Sequence, residues 1–253
     1  MLLTVDIGNT NITFGIFLKE ELILTARLDT NPSKTVDQYA VDIKNVLSLH
    51  NQDAKAIKNC IIASVVPTVG EAVKKAVALL CGTEPILLGP GVKTGLNIKI
   101  DNPAQLGADL VAGAVGVIGK YPMPCIVIDM GTATTISVLD KNGSFIGGSI
   151  AAGVRLTLKA LFENTAQLPS ISISAPNNVI ATNTVDCMRS GLVFGAASMI
   201  DGLIERAENE LGEKATVVAT GGLSKEIIAH CKREIIYDEN LLLEGLRKIF
   251  EKN

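Results

Sequence analysis

The feature that most constrains the fold is a repeat. VDIGNTNITFGIF, residues 5–17, breaks a strand-like apolar run with Asp6, Gly8 and small polar residues and then resumes it. IVIDMGTATTISVLD, residues 126–140, does the same with Asp129, Gly131, Thr132, Thr134 and Thr135. Each reads as two short strands joined by a turn of small residues. The elements around each loop are also alike. Residues 2–6, 12–18 and 21–28 form consecutive strands. A helix comes next, capped by Thr35, with Asp37 in its first turn and Tyr39, Ile43, Val46 and Leu47 as its apolar stripe. Residues 60–67 give a short continuous apolar strand and 69–80 a helix. In the second half, 125–129, 134–140 and 145–151 are strands, with helices at 155–164 and 184–211. A chain that twice runs three strands and then helices is an α/β protein of two like domains, expected at 1–118 and 119–253.

Composition narrows the function. The 253 residues are 47% hydrophobic and 19% charged, enough to build substantial cores. A net charge of -3, with no Lys/Arg-rich run, argues against a nucleic-acid partner. Cys60, Cys81, Cys125, Cys187 and Cys231 are scattered, with no CxxC pair and only His50 and His230 to help them. They read as small hydrophobes in a reducing compartment rather than as a zinc site or disulfide framework. With no signal-peptide pattern and no uninterrupted apolar span, the expectation is a cytoplasmic protein without a membrane partner.

The repeated loops have a physical use. Small residues between two strands expose backbone N–H groups and hydroxyls that line up on phosphate oxygens. A carboxylate ending the strand beside them holds a metal ion directly or through water. One such loop is ordinary turn chemistry; two of them facing each other would clamp a nucleotide triphosphate and its cation. Other phosphate signatures are missing. Gly119-Lys120 is followed by Tyr121, which rules out a lysine P-loop, and GPGVKTG at 89–95 has the wrong spacing for a dinucleotide fingerprint. VVATGGLSKEI, 217–227, runs a strand into Gly221-Gly222 and a helix. It reads either as a flat surface for a base or as a tight strand-to-helix turn.

Asn102, Pro103 and Gln105 have the capping pattern of a helix over residues 103–119. On it Asp109, Gly113 and Gly116 share one face, and Leu106, Leu110, Val117 and Ile118 lie nearer the apolar side. The acid is then either a solvated helix residue or a carboxylate with room for a small substrate.

DIGNTNIT, NPAQLGAD, DMGTATT, TAQLP and ATGGL stand in the order and spacing of the type III pantothenate kinases, which the chain resembles over essentially its whole length. That family belongs to the acetate and sugar kinase, Hsp70 and actin superfamily. The resemblance implies two ribonuclease-H-like (actin-like ATPase) domains with ATP in a cleft between them, and phosphorylation of pantothenate with magnesium and potassium or ammonium. Carried over residue by residue, it makes Asp6, Ile7, Gly8, Asn9, Thr10, Asn11, Ile12 and Thr13 the first phosphate loop, with Asp6 toward magnesium. Thr132 contacts the nucleotide, Asp129 binds the monovalent cation, and Gly221 and Gly222 lie near adenosine. Gly107, Ala108, Asp109 and Leu110 line the pantothenate pocket, with Asp109 the general base and Ile100 at its edge. Thr184 reaches that pocket from the partner subunit of a homodimer.

Three positions depart from the family pattern. GADR is GADL here, a tyrosine is Ile100, and the usual Pro-Gly is Ala152-Gly153. The acceptor pocket is thereby more apolar, which keeps another small hydroxyl compound, or an accessory regulator, in view beside pantothenate. Thr184 follows a loop at 174–183 and also fits as a plain helix cap.

Overall fold

In the computed structural model, which describes residues 1–253, the elements in chain order are β1 (Leu2–Ile7), β2 (Asn11–Leu18), β3 (Glu21–Asp29), α1 (Val36–Leu49), β4 (Asn59–Ser64), α2 (Pro67–Cys81), β5 (Ile86–Leu87), α3 (Ala108–Val117), β6 (Cys125–Met130), β7 (Ala133–Leu139), β8 (Phe145–Ala152), α4 (Val154–Glu163), α5 (Thr184–Leu211), β9 (Thr216–Thr220), α6 (Ser224–Ile228), β10 (Ile236–Tyr237) and α7 (Leu241–Phe250). They group into two compact units. The first holds Met1–Leu96, Asp101–Gly116 and Asn240–Asn253; the second holds Asn97–Ile100 and Val117–Glu239. Thus α7 belongs with the first unit, whereas the sequence pattern assigns all of 119–253 to the second. The reason is the apolar face of α7: Leu241, Leu243, Leu246 and Ile249 are buried, and the helix packs on β1, β2 and β4.

The first sheet runs β3-β2-β1-β4-β5, with β1, β2 and β3 antiparallel and β1, β4 and β5 parallel. The second runs β10-β9-β6-β7-β8 with the same pattern of directions. The duplication read from two loops therefore extends to the order of every strand, as the ribonuclease-H-like expectation requires.

Strand alternation decides which way each acid points. Leu3, Val5 and Ile7 face a core shared with Tyr39, Ile43 and Leu47 of α1 and with Val69, Val73 and Val77 of α2. Each of these large side chains adds about 1.5–3 kcal/mol by leaving water. Thr4 and Asp6 must then face the opposite side. On that side Leu243 of α7 closes on Gly15, where a methyl would meet Thr4 Oγ1 at 2.8 Å and Leu243 at 3.0 Å. Helix α1 starts as the sequence predicts: Gln38 N donates to Thr35 Oγ1 at 3.3 Å and Thr35 N donates to Gln38 Oε1 at 2.8 Å.

The helix expected over 103–119 is not continuous. Residues Pro103–Gln105 make one 3₁₀ turn, Asn102 gives no side-chain cap, and Leu106 is extended before α3 begins at Ala108. Nor does α3 present a glycine-lined open face. Residues 111–117 are buried all round, and a methyl on Gly116 would lie 2.5 Å from the Leu241 carbonyl oxygen. That glycine serves close approach by α7. In the second unit, α5 is long and apolar enough to cross a membrane by length and composition alone. Its Leu192, Val193, Ala197, Ile200 and Ile204 pack in a core with Ile126, Ile128 and Val217 of the sheet.

Candidate active site

The first loop is a tight connection between β1 and β2. Gly8 N donates to Asn11 O at 2.9 Å, leaving Asn9, Thr10 and Asn11 exposed at the tip. Ile7 and Ile12 are buried and anchor the two strands beneath it. Asp6, half-buried, stands directly across from Thr13 on β2 and beside Ala63 on β4. Thr30, which no sequence motif singles out, holds the loop from the end of β3. Its hydroxyl donates to Gly8 O at 2.7 Å and its N–H to Thr10 O at 2.9 Å. A threonine so far along the chain carries no local signal of such a tie; only the antiparallel β2–β3 ladder brings it back.

Asp109 sits in the first turn of α3, where Val111 N donates to Gly107 O at 3.0 Å. Its Oδ1 accepts from Leu110 N at 2.8 Å, so the carboxylate folds back over the start of the helix. A methyl on Gly107 would lie 2.5 Å from that oxygen and would turn the carboxylate aside. Burial pushes the Asp109 carboxyl above the usual carboxylate range, against the lowering effect of its backbone hydrogen bonds. Leu110 is half-buried, as is Ile100, which belongs to the Asn97–Ile100 segment of the second unit. Both acids of the first unit are linked through α7: it covers the sheet face that carries Asp6, and Gly245 packs against the backbone of Ala112 on α3.

The second loop is one residue shorter than the first. Gly131 N donates to Ala133 O at 3.0 Å, with Gly131 exposed and Thr132 exposed beside it at the tip. Gly153 N donates to Thr132 O at 3.0 Å, and a methyl on Gly153 would collide with the carbonyl oxygens of Gly131 and Thr132. Gly153 of the Ala152-Gly153 pair is therefore required by the loop it supports. Asp129 stands across from Thr135 on β7 and beside Thr220 on β9. Gly221 has φ +97°, and a methyl there would lie 2.7 Å from Asp129 Oδ1 and from Met130 N. Its bareness serves the aspartate directly. Gly222 is exposed with open space above it. The register thus gathers Asp129, Thr132 and Gly221 at one end of the second sheet.

Thr184 is the first residue of α5 rather than its cap. Asn183 caps the helix, with Asp186 N donating to Asn183 Oδ1 at 2.9 Å, so the exposed Thr184 hydroxyl is not spent on that task. Lys120 of the failed P-loop match pairs with Asp238 at 2.8 Å, and Tyr121 donates to the same carboxylate at 2.9 Å. The thiols divide: Cys60, Cys81 and Cys125 are buried, Cys231 is half-buried and Cys187 is exposed.

The donors near the two loops are carboxylates, hydroxyls and backbone amides, all suited to hard cations and phosphate. No group of three His, Cys, Asp or Glu side chains gathers anywhere in the chain. Single carboxylates beside loops of this kind fit magnesium, which is held through one or two acids together with water and substrate phosphates.

Comparison with known proteins gives the chain its relatives. A family model described as type III pantothenate kinase matches residues 2–206. A type III pantothenate kinase of Moorella thermoacetica is 40% identical over 253 residues, covering 100% of both chains. Among solved structures, a conserved putative Baf family transcriptional activator from Campylobacter jejuni superposes with TM-score 0.65 at 21% identity, covering 99% of this chain and 98% of that one. An activator of 2-hydroxyisocaproyl-CoA dehydratase from Clostridium difficile, with bound ADPNP, gives TM-score 0.60 at 16% identity, covering 98% and 92%. At those identities the structural likeness shows a shared two-domain fold.

Proposed function

The chain belongs to the type III pantothenate kinase family and phosphorylates pantothenate with ATP in coenzyme A biosynthesis, and we propose that Asp109 is the base that takes the proton from the acceptor hydroxyl. The observation that carries this assignment is the placement of its carboxylate: bent back over bare Gly107, fixed by Leu110 N and half-buried. A carboxylate so held keeps one direction for the proton it accepts and gains basicity from burial.

The two loops divide the remaining work. In the first unit residues 6–13 take the phosphates of ATP; in the second, Thr132 contacts the nucleotide and Gly221 and Gly222 lie toward adenosine. Asp6 holds magnesium and Asp129 a monovalent cation, potassium or ammonium. When bound, these ions supply neutralisation of the charge on the transferring phosphoryl group, and the protein supplies position. Gly107, Ala108 and Leu110 of the first unit take the acceptor, and Ile100 of the second is assigned to the same substrate. The reading is supported by the repeated Asp-to-Thr opposition in both sheets and by the bare Gly153 and Gly221 that the second loop needs. The test is direct. Purified protein given ATP, magnesium, potassium and pantothenate forms 4'-phosphopantothenate and ADP in equal amounts; failure to do so with this acceptor removes the reading.

The active unit is a homodimer in which Thr184 completes the neighbour's acceptor site, and it works in the cytoplasm. Support for the dimer comes from the second unit, where Ile150 is 75% and Ile180 88% exposed, with Leu156, Phe162 and Val179 also uncovered. Such apolar exposure marks a surface for a partner. Gly191 and Gly195 on α5 have open space above them, which leaves room for close approach. Mixing Asp109→Asn with Thr184→Val protein is expected to recover activity, up to about a quarter of native under random exchange if the two sites work independently, because each mixed dimer holds one intact site. Size-exclusion profiles of a monomer, or exchange without recovery, would count against the shared site.

A further inference from the structure

One polar atom beside the second loop, on β7, is left unexplained by the hydrogen bonds of the second unit. Thr135 Oγ1 is closed off from solvent and makes no hydrogen bond. A buried hydroxyl in that state is rare enough to require a reason. The sheet supplies one. Thr135 stands directly across from Asp129 in the β6–β7 ladder. Opposed residues of an antiparallel pair point to the same face, with Cβ atoms about 4.5–5.5 Å apart. In the first unit Thr13 stands across from Asp6 in the same way. The two turns differ in length, closing as Gly8 N to Asn11 O and as Gly131 N to Ala133 O, yet the opposition is kept. It is therefore held by the strand register and not by the turn.

The chemistry of the pair selects the ligand. A phosphate oxygen brought to Thr135 would meet the negative charge of Asp129, whereas a cation held by that carboxylate gains a neutral oxygen ligand from the hydroxyl. Gly221 packs closely on the same carboxylate, where a methyl would lie 2.7 Å from Asp129 Oδ1. We propose that Thr135 Oγ1 is a ligand of the monovalent cation at Asp129, so that the β6–β7 register supplies the cation site with a carboxylate and a hydroxyl together. The proposal rests on the reading of Asp129 as the cation-binding residue.

Thr135→Val removes the hydroxyl and keeps the branched shape. In sodium buffer the variant is expected to melt at the native temperature or up to about 4 °C above it, since the lost hydroxyl has no partner in the protein. In potassium the order reverses. Exchanging sodium for potassium at fixed ionic strength raises the native melting temperature, and Thr135→Val needs about tenfold more potassium for half of that rise. Thr135→Ser restores the native requirement, and the potassium dependence of turnover follows the same order. Asp129→Ala separates the two claims. If it loses the potassium response while Thr135→Val keeps the native one, Thr135 is not a ligand and Asp129 stands. If the native protein shows no preference for potassium over sodium, both claims are overturned. A Thr135→Val protein that melts several degrees lower in sodium would reveal a structural hydrogen bond and would also overturn the proposal.

Discussion

Asp109→Asn is expected to lower phosphopantothenate formation by roughly 10²–10⁴-fold, the range a positioned general base contributes, and at the same time to raise thermal stability at neutral pH. The gain in stability comes from the sign of the titration. Burial holds the Asp109 carboxyl above its unfolded value, so the folded state binds the proton more tightly than the unfolded chain does. Stability from this group is then greatest below the unfolded value and falls as pH rises through the folded one. At neutral pH the desolvation cost of this half-buried charge is present, and asparagine removes it while still accepting from Leu110 N. Melting curves of native and variant protein should separate at pH 7 and converge in acid. Turnover of the native enzyme should fail on the acid side at a pH above the ordinary carboxylate range. A variant with near-native turnover would remove Asp109 from the chemistry, and one less stable at pH 7 would contradict the burial argument.

Gly245→Ala carries the largest expected structural effect. Its new methyl would collide with the carbonyl of Ala112 and lie 3.0 Å from Gly116 N, both backbone atoms of α3 that cannot swing aside. Overpacking of this kind costs about 1–3 kcal/mol, and toward the upper end where only backbone can yield. For a chain of this size a cost of about 3 kcal/mol lowers the melting temperature by roughly 6–12 °C. Turnover should fall as well, because α7 stands between the strand that carries Asp6 and the helix that carries Asp109. Gly202→Ala, on α5 with nothing near its added methyl, serves as the control. It is expected to be neutral or stabilising by about 0.5–1 kcal/mol, the gain of alanine over glycine in a helix. Equal melting points for the two variants would refute the packing argument.

Much of the fold was legible because it rests on local patterns. The short apolar runs at 2–6 and 125–129 mark buried strands, and Thr35 marks a helix start that the hydrogen bonds reproduce. The Asp-x-Gly loops could be placed because turn residues between apolar runs leave few choices. What was not legible depends on contacts distant in the chain. Asn102-Pro103-Ala104-Gln105 has the pattern of a helix cap, but the helix that would use it stops after one turn and restarts at Ala108. At the restart, the Asp109 carboxylate lies over the bare Gly107. Gly116 looked like substrate space and is a seat for Leu241, a residue far along the chain. The cap of α5 fell to Asn183 over its neighbour Thr184, two residues whose capping preferences differ too little for sequence to choose. Gly153 and Gly221 are bare for the second loop and its aspartate, a reason visible only once the strands are aligned.

The return of α7 to the first unit has a consequence for the order in which the protein is made. The sheet that opens the chain keeps an apolar face uncovered until residues 241–250 have been synthesised, long after its last strand at Ile86–Leu87 is complete. The second unit draws on Asn97–Ile100 and Val117–Glu239, so all of its residues leave the ribosome before that helix does. Domains commonly fold in the order of translation, and contacts between distant residues form slowly. Here the part translated first is finished last, and its exposed face is the surface of a nascent chain that a chaperone would meet.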